Sequence, residues 1–159
     1  MRISARLAKT GDLTILEQLY RDLETEMTEL HKMWPLADGL AEPVAVSFSQ
    51  ALEDESKMVV IGEIEGYPFG FLLAQVEGLL PQAAGEQICS IRLVFVDPEA
   101  REVSLGEVMR EHVLEAMRSK GISKFDAHVL PGHRLVKNFF EAGGFSARSI
   151  VMHHDDNRE

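Results

Sequence analysis

The feature that most constrains this chain is the apolar run Ile88–Val96 (ICSIRLVFV), which stops at Asp97-Pro98 and soon gives way to a long amphipathic helix. A run this apolar reads as a strand covered on both faces, hence a central one. Proline has no N–H for a sheet ladder, so the strand ends there. From Ser104 to Lys120, the residues Leu105, Val108, Met109, His112, Val113, Ala116 and Met117 form one helical face, and Gly121 supplies the stop. The first amides of such a helix have no internal partners and carry the positive end of its dipole, so a phosphate group fits against them. Arg101 adds a cation, the Ser104 hydroxyl can cap the helix or donate to an anion, and Gly106 lets the backbone approach a ligand closely. A plain structural cap accounts for the same residues equally well. Neither GxxxxGK nor GxGxxG occurs, which excludes the P-loop and dinucleotide readings.

The flanking elements place this unit in a mixed α/β domain. Ile3–Leu7 reads as a strand, and Asp12 can cap a helix carrying Leu16, Leu19, Tyr20 and Leu23 at helical spacing. Residues 27–43 are irregular, with turn signals at Trp34-Pro35 and Asp38-Gly39. A second helix bears Val44, Phe48, Ala51, Leu52 and Glu55. Met58–Ile64 and Phe69–Val76 form a hairpin about Glu65-Gly66-Tyr67-Pro68, and 78–86 is a loop. After the long helix come a strand over Phe125–Leu130, a short helix with Leu135, Val136, Phe139 and Phe140 ending at Gly143-Gly144, and a last strand near Ser146–His153. The order β-α-α-β-β-β-α-β-α-β predicts one domain over residues 1–153, with a mixed sheet, helices on both faces, and a flexible tail at 154–159.

Charge and composition narrow the partners. The formal net charge is −10, which argues against nucleic acid and requires backbone dipoles and a few cations to hold any polyanion. The same acidity suits a cationic small molecule or peptide, or serves only solubility. No apolar run reaches the roughly 18 residues of a membrane span. The single cysteine, Cys89, permits no internal disulfide, and the first residues show no secretory signal, so the expected home is the cytoplasm.

Two spaced patterns carry a family likeness. Val96-x-Pro98-x-x-Arg101-x-x-Ser104-x-Gly106 resembles the first signature of the GNAT acetyltransferases, V-x-P-x-x-[RQ]-x-x-G-x-[GA]. His133-x-x-Val136-x-x-Phe139-Phe140-Glu141-x-x-Gly144-Phe145 resembles the second, N-x-x-A-x-x-F-Y-x-x-x-G-F. Each is loose alone, but both occur in order and at the right separation, and the likeness spans nearly the whole chain. It implies a mostly antiparallel sheet with a splay between the central strands, and an acetyl-CoA-dependent N-acetyltransferase that needs no metal.

The resemblance also assigns residues. Val94, Phe95 and Val96 would pair with the pantetheine arm. Amides of Arg101, Glu102, Val103, Ser104, Leu105, Gly106 and Glu107 would hold the diphosphate. His133 stands where an asparagine contacts the cofactor, and Lys137 can reach an adenosine phosphate or remain a solvated helix charge. Ser104 replaces the first motif glycine, which suits a negative φ, and Phe140 occupies the position of a tyrosine that would protonate the departing thiolate. An amide near Phe95 or Val96 would polarise the carbonyl.

Catalysis needs a base, and the central strand has no acid where the family places one, near Ser90. Glu63 and Glu77 on the hairpin strands are the candidates, directly or through a water; solvated strand acids are the plainer account. His31, Trp34 and Arg92 are candidates for the acceptor pocket, with Trp34 equally suited to anchoring its loop and Arg92 to binding an acceptor carboxylate or a nearby Glu. The expected acceptor is a primary amine of a small molecule or peptide, and a homodimer is expected from the family. A catalytically silent acyl-CoA-binding module and a cofactor-free interaction domain are the rival readings.

Overall fold

The computed structural model describes residues 1–30 and 32–157. Five strands form one sheet in the order β1 (Ile3–Leu7), β2 (Lys57–Ile64), β3 (Tyr67–Gly78), β4 (Gln87–Val96) and β5 (Phe125–Ala127). The first three pairings are antiparallel and only β4–β5 is parallel. The turn between β2 and β3 is tight because Glu65 and Gly66 both take positive φ, 51° and 81°, as a two-residue hairpin of this twist requires.

Helices cover both faces. On one face lie α1 (Leu13–Leu30), α2 (Trp34–Ala37) and α3 (Val44–Glu53), whose Leu16, Leu19, Tyr20, Val44 and Phe48 pack on Val59, Ile61, Phe71, Leu73, Leu93 and Phe95. On the other lie α4 (Leu105–Arg118) and α5 (Arg134–Ala142), which enclose Val60, Leu72, Ala74, Cys89 and Ile91 with Met109, Val113, Met117 and Phe140. Alternation along each strand divides its residues between these two cores. Burial pushes the Cys89 thiol up to about 11, so it is an inert core residue.

Three expectations change. Helix α1 runs on to Leu30, because Met27 continues its buried stripe, so the irregular stretch is shorter than the sequence suggests. Strand β5 ends at Ala127. The strand expected over Ser146–His153 does not form: these residues have no regular secondary structure, and among the described residues the sheet has five strands where the element order predicted six. Apolar character marked that segment as strand-like, but a strand also needs a ladder partner.

Candidate donor and acceptor clefts

A single extra residue shapes the centre of the site. Leu73 pairs with Leu93 and Ala74 with Ile91, leaving Arg92 as a bulge in β4. A bulge shifts the alternation of everything after it. Before it, the Cys89 N–H donates to Lys124 O and Ile91 O accepts from His128 N–H, so these peptide groups face β5. Beyond it, the Asp97 N–H donates to Phe69 O at 2.7 Å, so Leu93, Phe95 and Asp97 face β3. Val94 and Val96 therefore face the other way. They meet no strand there, since β5 pairs with β4 only as far as Ile91↔Ala127. The Val96 carbonyl accepts from Arg101 Nε at 2.8 Å, which leaves its N–H and both peptide groups of Val94 open to the splay. This is a short internal sheet edge, suited to an added strand-like ligand. Of the two amides named as carbonyl polarisers, Phe95 is used by the ladder and Val96 is open.

The turn after β4 leads into the helix start. Asp97 accepts from Glu99 N–H at 2.9 Å, a 3₁₀ turn covers Pro98–Val103 with Ala100 buried, and Ser104 precedes α4. Helical bonding begins with Val108 N–H to Ser104 O at 3.1 Å, so the amides of Leu105, Gly106 and Glu107 have no helical acceptor. Ser104 has φ 66°, where a negative value was expected. That left-handed conformation is costly for any residue with a Cβ. Ser104→Gly should therefore stabilise the fold by about 1 kcal/mol in denaturant titration, with an unchanged m-value. Gly106 also differs from expectation. A Cβ there would lie 3.1 and 3.3 Å from Phe139 ring carbons, so its small size first serves the closure of α5 on α4.

Arg101 is an engaged cation. Its Nη2 donates to Glu26 Oε2 of α1 at 2.7 Å, and its guanidinium lies 5.5 Å from the Phe95 ring centroid. Burial holds the half-buried His133 ring below the usual histidine range; Arg101 pushes the same way and Glu26 opposes. A histidine that resists protonation when folded makes the unfolded chain bind more protons below pH 6.5. Stability should therefore fall as pH drops below about 6.5, and His133→Gln should flatten that slope in melts between pH 5 and 8. Lys137 is exposed and pairs with Glu141 at 3.4 Å, as a solvated helix charge does.

On the acceptor side, Arg92 projects from the bulge and ties three elements together. Its Nε and Nη2 donate to Asp38 Oδ1 at 3.1 and 2.8 Å, and its Nη1 to Glu77 Oε1 at 3.2 Å. Gln75 Nε2 also donates to Glu77, at 2.7 Å, and His128 Nδ1 lies 3.8 Å from Asp38. Ser90, fully buried, pairs across β4 with Gln75 on one side and Asp126 on the other, and its hydroxyl lacks a partner among the described residues. Of the two proposed bases, Glu77 belongs to this cluster. Glu63 does not: it is separated from β4 by the whole of β3 and pairs with Arg6 at 3.3 Å, in a cluster with Asp12. The structure therefore does not bring Glu63 to the β4 splay.

Trp34 is buried against Tyr20, with ring centroids 6.3 Å apart, and so anchors its loop. It also edges an open groove bordered by Tyr20, Glu24, Thr28, Glu29 and Asp38. His31 lies outside the described residues. Sequence reasoning missed Glu26 and Asp38 here; Asp38 registered only as a turn signal, and Glu26 not at all.

The model of the acetyltransferase (GNAT) family matches residues 16–145. The chain belongs to the GNAT acetyltransferase family. Membership makes it an acetyl-CoA-dependent N-acetyltransferase. No curated protein matches it in sequence. Solved structures share the fold: a tetramutant of the BH1408 protein of Bacillus halodurans, at 17% identity and TM-score 0.82, covers 98% of this chain and 99% of its own. AAC(6')-Iy, solved in complex with the bisubstrate analogue CoA-S-monomethyl-acetylneamine, is 16% identical with TM-score 0.76 over 99% and 100% of the two chains. A ribosomal-protein-alanine N-acetyltransferase of Brucella melitensis biovar Abortus is 13% identical with TM-score 0.69 over 97% and 100%.

Against the GNAT pattern, the position of the tyrosine is the clearest departure. Phe140 is 3% exposed and its ring meets Phe139 and Phe145 at 5.0 and 5.2 Å, inside the core beneath α4. It has no proton to give. Among the described residues no cluster of three or more His, Cys, Asp or Glu side chains is arranged to hold a metal.

Proposed function

We propose that this protein acetylates a primary amine of a cationic small molecule or peptide by direct attack of the amine on the thioester of acetyl-CoA. The observation that carries this reading is the open edge at Val94 and Val96, which runs toward the unpartnered amides of α4. These groups offer a strand-like arm main-chain hydrogen bonds and a diphosphate a set of N–H donors. The fit suits a chain of net charge −10, because neither contact depends on surplus Lys or Arg.

In the transfer, nitrogen bonds to the carbonyl carbon, the carbon–sulfur bond breaks, and nitrogen loses a proton. The amides of Val94 and Val96 are the donors available to polarise the carbonyl in the splay. Glu77, directly or through a water held near Ser90, accepts the proton. A thiol of this kind has a pKa of roughly 8.5, so the sulfur can leave as thiolate and take its proton from solvent. Lacking a phenol at Phe140, the protein forgoes the 10²–10⁴-fold that a positioned acid typically contributes. The acceptor groove presents Glu24, Glu29 and Asp38, and Arg92 is already held by two carboxylates. A cationic acceptor suits that wall better than an anionic one.

Coenzyme A at one hundred times its dissociation constant should add about 2.7 kcal/mol of stability. Differential scanning fluorimetry reads this directly, and an unmoved melting curve would overturn the donor site. One second reading has structural support: Glu77 is neutralised by Arg92, and Phe140 is buried. Both suit a cofactor-binding sensor. Thermal stabilisation with no transfer across a panel of polyamines, aminoglycosides and peptides would favour that reading.

A further inference from the structure

Among the described residues Arg110 of α4 is the only buried charged side chain, at 6% exposure, and it takes no part in the chemistry above. Removing a guanidinium from water is costly unless hydrogen bonds offset the loss. Arg110 has two polar partners: its Nε donates to Glu111 Oε2 at 3.1 Å and its Nη1 to the Phe139 carbonyl at 2.9 Å. Phe139 lies in the last turn of α5, and the Gly143 N–H, its ordinary helical donor, bonds to Phe140 O instead. Arg110 thus caps α5 from a neighbouring helix, with its charge at the negative end of the dipole. The same guanidinium lies over the Phe139 ring, 4.6 Å from the centroid. Gly143 permits this approach, since a Cβ there would stand 2.6 Å from Arg110 Cζ.

Held in this way, Phe139 reaches the opening of α4. Its Cε1 and Cζ lie 3.1 and 3.3 Å from where a Cβ on Gly106 would stand, and Val96 Cγ2 lies 3.6 Å from the same point. The amide of Gly106, with those of Leu105 and Glu107, has no helical acceptor. We propose that Arg110 is a positioning residue for the donor: through the carbonyl and ring of Phe139 it seats α5 on Gly106 and fixes the free amides of α4 for a diphosphate. This rests on the reading in which those amides hold the diphosphate of coenzyme A. Donors fixed in advance need no ordering by the ligand, so the clamp acts on affinity for the cofactor.

Calorimetric titration of the full chain with coenzyme A tests this without any acceptor. Arg110→Met keeps the length and loses the charge, and should raise the dissociation constant at least about tenfold. Arg110→Lys can still donate to the Phe139 carbonyl and should recover most of that loss. Gly143→Ala retains Arg110 but displaces its guanidinium, and should also weaken binding; it decides the matter if Arg110→Met does not fold. Lowered stability alone should not act this way. Met117→Ala, at the far end of α4 in the same core, should lower the melting temperature and leave the dissociation constant unchanged. Wild-type affinity in Arg110→Met or Gly143→Ala overturns the proposal, as does weakened binding in Met117→Ala. A wild-type chain that binds no coenzyme A overturns the diphosphate reading itself, and this inference with it.

Discussion

Replacing Val96 with proline should lower acetyl transfer at least about a hundredfold while the protein remains folded, whereas proline one residue earlier should abolish folding. The difference follows from the Arg92 bulge. Phe95 directs its N–H into the ladder with β3 and its ring into the core, where it is 4% exposed. Phe95→Pro removes a sheet hydrogen bond and a buried aromatic, a loss of several kcal/mol. Val96 directs its N–H into the splay, where it serves no strand, and proline's fixed φ is compatible with extended backbone. Loss of one donor aimed at developing charge typically costs 10²–10³ in rate. Steady-state kinetics with acetyl-CoA, alongside melting curves for both variants, decide the matter. Val96→Pro with wild-type turnover would remove that amide from the reaction, and unfolding of both variants alike would show that the bulge does not set the facing of β4.

The second large effect concerns how α4 is seated. Gly62 of β2 and Gly70 of β3 are cross-strand partners, and together they make a trough in the sheet. A Cβ on Gly62 would lie 2.8 Å from Met109 Sδ and 2.9 Å from Leu105 Cδ1; one on Gly70 would lie 3.0 Å from Met109 Cε and 2.8 Å from the Phe95 carbonyl. Met109 and Leu105 are fully buried. Met109→Ala should therefore cost about 2–5 kcal/mol, and Gly62→Ala about 1–3 kcal/mol by overpacking. Combined, they should cost less than the sum, because shortening Met109 vacates the space the new methyl needs. Chemical denaturation of the four chains in this cycle gives the coupling. Strict additivity would mean that the trough is not what positions the helix.

The extent to which the sequence foretold the site follows the range of the forces involved. The strand, the proline stop and the amphipathic helix are local in origin, so the strand–turn–helix was legible from Ile88 to Lys120. The bulge was not, because it is a mismatch of register between β3 and β4 and no residue type marks it. Glu26 reaches Arg101 from 75 positions away, and Asp38 reaches Arg92 from 54, so only tertiary packing reveals either pair. Glu63 and Glu77 look alike as hairpin acids. They are told apart by the strand each lies on and by the arginine each meets. The segment after Phe145 has the composition of a strand, which local sequence can show, but it has no ladder partner among the described residues.

The extra residue at Arg92 makes the two halves of the site inseparable. It turns the Val94 and Val96 peptide groups outward and aims a guanidinium at the loop beyond α1. Deleting one residue there would reverse both at once, facing those amides into the sheet and exchanging the side chains of the two cores. The open amides and the Arg92 ion pairs should therefore tolerate substitution separately but a change of chain length only jointly, and this part of β4 should resist insertions and deletions that its neighbouring loops accept.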